Sequence, residues 1–140
     1  MNKTHNPKTV DIKSEWYFVD ADNVVLGKLA TKVAKILIGK DSATYTPGIP
    51  SKNHVVVTNA SKIHVSGNKM EGKGYYRHSD YPGALKQETL KEVMEKYPTR
   101  AVERAVSGML PKTKLRKRYM AKLHVYEGTE HPHTAQEGKE

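Results

Sequence analysis

The chain has no cysteine, and that one absence removes disulfide cross-links, thiolate nucleophiles, iron–sulfur ligation and the usual cysteine-bearing zinc sites. It has one tryptophan and one phenylalanine against eight tyrosines, so most of its rings carry a hydroxyl. No apolar run approaches the ~18 residues of a membrane-crossing helix, and the opening MNKTHNPKTVDIKSEW lacks the apolar core of a secretion signal. A soluble, cytoplasmic protein with no membrane partner is expected. Acidic residues are scarce locally. Between Asn23 and Met70, Asp41 stands alone beside seven lysines, and from Arg104 to Tyr126 seven basic residues meet no acid.

What is present, then, is charge of one sign. Twenty-four Lys and Arg against fifteen Asp and Glu leave a net charge of +9, which repels itself in a small domain unless a polyanion neutralises it. A length of 140 residues suffices for one core and not for two ordinary ones. The basic tracts 23–70 and 104–126 read as contact surfaces of that one domain, since a surface made only for solubility would intersperse both signs.

The pattern along the chain is α/β. EWYFVDA at 15–21 is β-prone and ends in DADN, where Asp22 and Asn23 are expected to cap the next helix. In LGKLATKVAKILIGK, Leu26, Leu29, Ala30, Val33 and Leu37 fall on one helical face, Lys28, Lys32 and Lys35 on another, and Gly39 supplies the stop. After a proline-bearing loop, HVVVT reads as a strand buried on both faces, as in a parallel sheet. Strand, amphipathic helix and buried strand make a βαβ unit with a right-handed crossover. SKIHVSGNKMEGKGYYRHSDYPG predicts an irregular hairpin from pieces such as KIHVS and GYYRH, with an exposed loop. Leu90, Val93, Met94 and Tyr97 predict one helix, broken at Pro98, and Val102, Ala105, Val106 and Met109 a second. A short basic helix or loop, a strand in KLHVYEG and a polar tail follow. The expected division is an N-terminal arm over 1–14, an α/β domain over 15–128 and a C-terminal tail over 129–140.

Signs of catalysis are weak. RHSDY at 77–81 holds the letters of a hydrolase triad, but adjacent residues diverge in space and triads are assembled from separated segments. Asp41 stands where a phosphate-binding loop would need Ser or Thr. Glu15, Asp20 and Asp22 flank a strand end, yet none is assigned as a general acid or base. His131 and His133 lack a third donor at metal-binding spacing, so no metal, cofactor or small-molecule substrate is expected. Tyrosines beside charge point to RNA instead: Tyr75 and Tyr76 before Arg77, Tyr119 after Arg118, and Tyr45 ahead of the TPGIPSK loop suit splayed bases and ribose. Tyr97 and Tyr126 are expected in the core. Two other readings stay open on these residues: a small α/β nucleotide-binding enzyme, from the βαβ unit alone, and a nonspecific DNA binder.

Taken in order from Trp16 to Gln136, LGKLAT, YTP, VVVTNA, YYRHSDYPG, GMLPK and VYEGTEHPH resemble the bacterial large-subunit ribosomal protein thirteen family. The resemblance implies a three-layer α/β/α domain around a small, mostly parallel sheet, with extended terminal arms and no catalytic activity. It implies 23S rRNA as partner, bound early in assembly of the large subunit, with other large-subunit proteins as neighbours. Its RNA contacts fall on Lys28, Lys32, Lys35 and Lys40, and on Lys69, Lys73, Tyr75, Tyr76, Arg77 and His78. They continue through Lys112, Lys114, Lys117 and Arg118 to His131 and His133. The charge tracts themselves add Lys52, Arg116 and Tyr119.

Overall fold

The structure is a computed structural model and describes residues 7–9 and 11–137. Part of the expected N-terminal arm and the last three residues of the expected tail lie outside the described residues.

β1 (Trp16–Asp20), α1 (Leu26–Ile38) and β2 (His54–Thr58) form the expected βαβ unit, with Trp16 opposite His54 and Asp20 opposite Thr58 in a parallel pair. A later strand, β5 (Leu123–Val125), joins the free edge of β2, also in parallel, so the order is β1-β2-β5. Being central explains why HVVVT is apolar on both sides: Val55, Val56 and Val57 expose nothing. Strand alternation then sorts the faces. Val19, Val55 and Val57 meet Leu29, Val33 and Leu37 of α1 and Val102 and Val106 of α4 (Pro98–Met109) in the main core, each such side chain contributing ~2 kcal/mol on burial.

The two ends of α1 are held by different means. Asp22 and Asn23 do not cap it, contrary to the expectation from sequence: Asn23 turns through a left-handed φ of 56°, and Val25 is the capping residue. Val25 instead bridges to His64, whose carbonyl accepts the Leu26 N–H at 3.0 Å and so satisfies a donor that a side chain would otherwise cap. At the far end Gly39 has φ 82° and sends its N–H to the carbonyls of Lys35 and Ile36. A Cβ there would sit 2.8 Å from Ser51 Cβ, so both conformation and space demand glycine. The Ser51 hydroxyl donates to the Leu37 carbonyl, and Asn53 Nδ2 donates to that of Ile36 at 3.1 Å.

The middle of the chain builds a smaller unit. α2 (Lys69–Gly72) is a single turn, and β3 (Gly74–Arg77) pairs antiparallel with β4 (Lys86–Thr89) around an exposed loop. The hairpin expected between KIHVS and GYYRH is therefore corrected: KIHVS carries the His64 bridge to Val25, and β4 is the true partner. α3 (Leu90–Lys96) opens on a reciprocal Thr89–Glu92 capping box and stops before Pro98, as its sequence predicts. Leu90 and Val93 bury against Ala101 and Tyr75 in a satellite core. Tyr97, expected inside, is 52% exposed with the Arg100 guanidinium 4.6 Å above its ring, because Val93 and Pro98 fill the inward positions.

The second face of the sheet is closed by the C-terminal segment. Trp16, Phe18, His54, Val56 and His124 present this face, and His131 and His133 pack on it ahead of a 3-10 turn at Thr134–Gln136. The mixed α/β architecture with a small parallel sheet is as expected from sequence.

Candidate nucleic-acid interface

On α1 the lysines at 28, 32 and 35 follow the helical repeat and are all exposed, opposite the buried Leu29–Val33–Leu37 stripe. Lys40, just past the Gly39 turn, is exposed too. One charge is locally answered: Lys35 Nζ lies 2.5 Å from Asp41 Oδ1, both side chains more than half exposed, a pairing worth at most ~1 kcal/mol.

The second basic tract forms the turn after Pro111 and a short helix, α5 (Arg116–Met120). Lys112, Lys114, Lys117 and Arg118 are exposed. Arg116 is half-buried and braces the turn, its Nε donating to the Pro111 carbonyl at 3.3 Å. Tyr119 points the other way. It is 5% exposed, and burial pushes its hydroxyl pKa up; a ring so enclosed is a core anchor for α5 and has no face left for a base.

Folding brings the two tracts together. Lys122, half-buried just before β5, donates to the Ser51 carbonyl, and its pKa is lowered by burial first and then by the charges of Lys52 and Arg118. Lys52 before β2, Arg118 of α5 and Lys122 thus share one field. Two stretches more than sixty residues apart in sequence make one positive surface.

The hairpin holds a further set. Tyr76 is 65% exposed; Arg77 and His78 are exposed, and His78 Nδ1 accepts the Asp80 N–H at 2.9 Å. Tyr75 faces inward, with the Arg104 guanidinium 4.6 Å and Lys73 Nζ 5.5 Å from its ring centre. A cavity of about 370 Å³ between hairpin and α4 is lined by Tyr75, Arg77, Lys86, Arg100 and Arg104, with Glu88 and Glu103. The sequence reading passed over Lys86 and Arg100, and counted Arg104 in the second basic tract without naming it as a contact. The signal was the i, i+4 spacing of the two arginines on the α4 face that Val102 and Val106 leave free.

Carboxylates play structural parts. Glu15 accepts the Tyr17 hydroxyl at 2.5 Å, and that bond, then burial, push the phenol up to about 12. Asp20 accepts Asn59 Nδ2 at 2.8 Å and the Asp22 N–H at 3.0 Å, bonds that lower its pKa.

His131 and His133 lie on the sheet, with rings turned to other rings. His131 packs on Phe18 at 5.5 Å, its side chain 7% exposed. His133 sits 4.6 Å from His124 and accepts or donates at 2.9 Å with the Tyr126 hydroxyl. Trp16 stacks on His54 at 4.4 Å. Among the described residues no three His, Cys, Asp or Glu are grouped to hold a metal ion. Burial lowers the pKa of His54 and of His124, aided by Lys122 and His133 for the first and by His133 and His54 for the second. The folded protein therefore keeps both imidazoles neutral where the unfolded chain protonates them. Stability is complete above the ordinary histidine value of 6.5 and falls with pH from there down to the depressed folded values, where the loss ends. Melting curves between pH 7.5 and 5 are expected to show a falling Tm, flattened in His124→Gln; a Tm unchanged over that range would contradict the neutral stack.

The model of the family described as "Ribosomal protein L13" matches residues 14–132. The chain belongs to the ribosomal protein L13 family. Curated members named "Large ribosomal subunit protein uL13" align along nearly all of it. That of Maridesulfovibrio salexigens is 56% identical over 137 residues, 98% of this chain and 96% of its own length. Those of Rhodococcus erythropolis and Bacillus cereus are 49% and 47% identical, covering 96% and 97% of the chain and 91% and 94% of their own lengths. Membership in the L13 family makes this a structural ribosomal protein and sets aside the enzyme reading. Within the L13 fold, Lys28, Lys32, Lys35, Lys40, Lys69, Lys73, Tyr76, Arg77, His78, Lys112, Lys114, Lys117 and Arg118 are exposed, while Tyr119, His131 and His133 are packed.

Proposed function

We propose that the chain binds 23S rRNA through its α/β domain and enters the large subunit early in assembly, with other large-subunit proteins as neighbours. One observation carries this reading: the bond from Lys122 to the Ser51 carbonyl brings the end of the second basic tract, with Arg118, beside Lys52 of the first, and exposed lysines stand on α1 and in the turn before α5. A rigid body with charge on several sides neutralises phosphates of more than one RNA helix and releases their counterions. The A-form major groove admits no side chains, so selectivity comes from RNA shape, 2′-hydroxyls and bases stacked on rings such as Tyr76. Lysines dominate the α1 stripe. They act as point charges there, without the planar fork of arginine.

Purified protein titrated with 23S rRNA and with duplex DNA at equal salt tests the reading. Binding to the rRNA is expected to be tighter, with a steep salt dependence, and the protein is expected to stay with large subunits through a high-salt wash. Equal affinity for DNA would support a nonspecific binder instead.

A further inference from the structure

Four of the described glycines have neither a left-handed φ nor any atom within 4 Å of where a Cβ would lie: Gly27, Gly72, Gly108 and Gly128. Nothing among the described residues asks for glycine at these places. Two of them weaken helices, since Gly27 is in the first turn of α1 and Gly108 in the last turn of α4. Helix packing does not explain them either, because an added methyl would touch no neighbour. Three of the four, Gly27, Gly72 and Gly108, line the same groove.

That groove has a volume of about 630 Å³ and runs between the start of α1, the α2 turn and the end of α4. Its floor is apolar, from Leu26, Val65, Leu90 and Ala105. Its charged lining residues are Lys69, Lys73 and Arg104, and no carboxylate lines it. None of these three cations is among the ion pairs of the described residues, which are Lys35–Asp41, His78–Asp80 and His131–Glu137. Lys73 and Arg104 also lie over the ring of Tyr75, 5.5 and 4.6 Å from its centre, on the side of the neighbouring cavity that Tyr75 and Arg104 line. At the α1 end, a 13-residue helix with no acid in its first turn adds the positive end of its dipole.

We propose that this groove seats the sugar–phosphate backbone of an rRNA strand, which lies against Gly27, Gly72 and Gly108 and is neutralised by Lys69, Lys73 and Arg104. Glycine is the residue that lets a backbone approach this closely. The three unanswered positive charges favour a polyanion over a peptide segment. The inference rests on the rRNA-binding reading; to Lys69 and Lys73, which the resemblance already marks, it adds Gly27, Gly72, Gly108 and Arg104 as one contact surface.

Gly27→Gln and Gly108→Gln test it, because glutamine is uncharged, unbranched and a better helix former than glycine. Each variant is expected to melt at or above the wild-type temperature yet bind 23S rRNA at least tenfold more weakly at fixed salt. The slope of log affinity against log salt should change less than in a Lys73→Gln/Arg104→Gln pair, which removes charge. Gln variants binding within twofold of wild type would overturn the proposal, and so would a lowered Tm, which would mean the glycines serve the fold. Variants that bind naked rRNA normally but fail to join large subunits would put a protein in the groove and overturn the assignment to RNA. Wild-type protein with no affinity for 23S rRNA would instead remove the underlying reading, and this proposal with it.

Discussion

Changing Lys114, Lys117 and Arg118 together to glutamine is expected to cost most of the affinity for 23S rRNA while leaving the melting temperature close to wild type. All three side chains are exposed and enter no ion pair among the described residues, so the fold loses nothing it uses. Arg116 is kept, because its bond to the Pro111 carbonyl braces the turn that presents the others. Each lost phosphate contact lowers the slope of log affinity against log salt by about 0.9. If each of the three side chains meets one phosphate, the slope falls by about 2.7, which at 0.1 M salt is a loss on the order of 10²-fold or more that fades toward 1 M. Filter binding across a salt series reads both quantities. A slope equal to wild type would mean that α5 and its turn do not touch RNA.

Val57→Asp is expected to abolish the cooperative melt. Val57 has no exposed surface, lies in the central strand, and faces the core of α1 and α4 among Val19, Leu29, Val33 and Val106. The change forfeits ~2 kcal/mol of apolar burial and leaves an unpaired carboxylate whose desolvation costs several kcal/mol more. Against a stability of ~5–15 kcal/mol for a domain of this kind, that is most or all of it. Val56→Asp, one residue earlier and equally buried, is expected to cost less. Its side chain lies on the opposite face, in register with Phe18 and His124, where the imidazoles of His54 and His124 can answer a carboxylate. Circular dichroism melts of the two variants separate the faces. A Val57→Asp protein melting at the wild-type temperature would show that the strand's inward face is misassigned.

The difference between Val56 and Val57 marks how far periodicity reaches. HVVVT declares burial on both sides, but nothing in five residues says that helices cover one side and histidine rings the other. The helix Leu26–Ile38 was legible because its apolar and basic residues repeat at 3.6, and α3 and α4 because Pro98 divides two such repeats. The hairpin partner was not, since the KQET of β4 is polar, with neither alternating hydrophobicity nor a tight-turn pair to announce it. The Asp22–Asn23 cap is absent for a related reason: a parallel bridge from His64, about forty residues on, satisfies the helix-end donor that a local side chain would otherwise cap.

Composition and spacing alone settled that this is one small α/β domain, without disulfides, carrying two positive tracts suited to a polyanion. Those properties are sums and repeats along a line, and a line suffices to read them. Tertiary structure decided which of the marked side chains can reach a partner: it buried Tyr119, turned His131 and His133 onto the sheet, and gathered Lys52, Arg118 and Lys122 into one field. It also set Gly27, Gly72 and Gly108 along one groove. Which way a side chain points, and what comes to lie beside it, depends on contacts between segments whose separation in sequence carries no trace of their nearness in space.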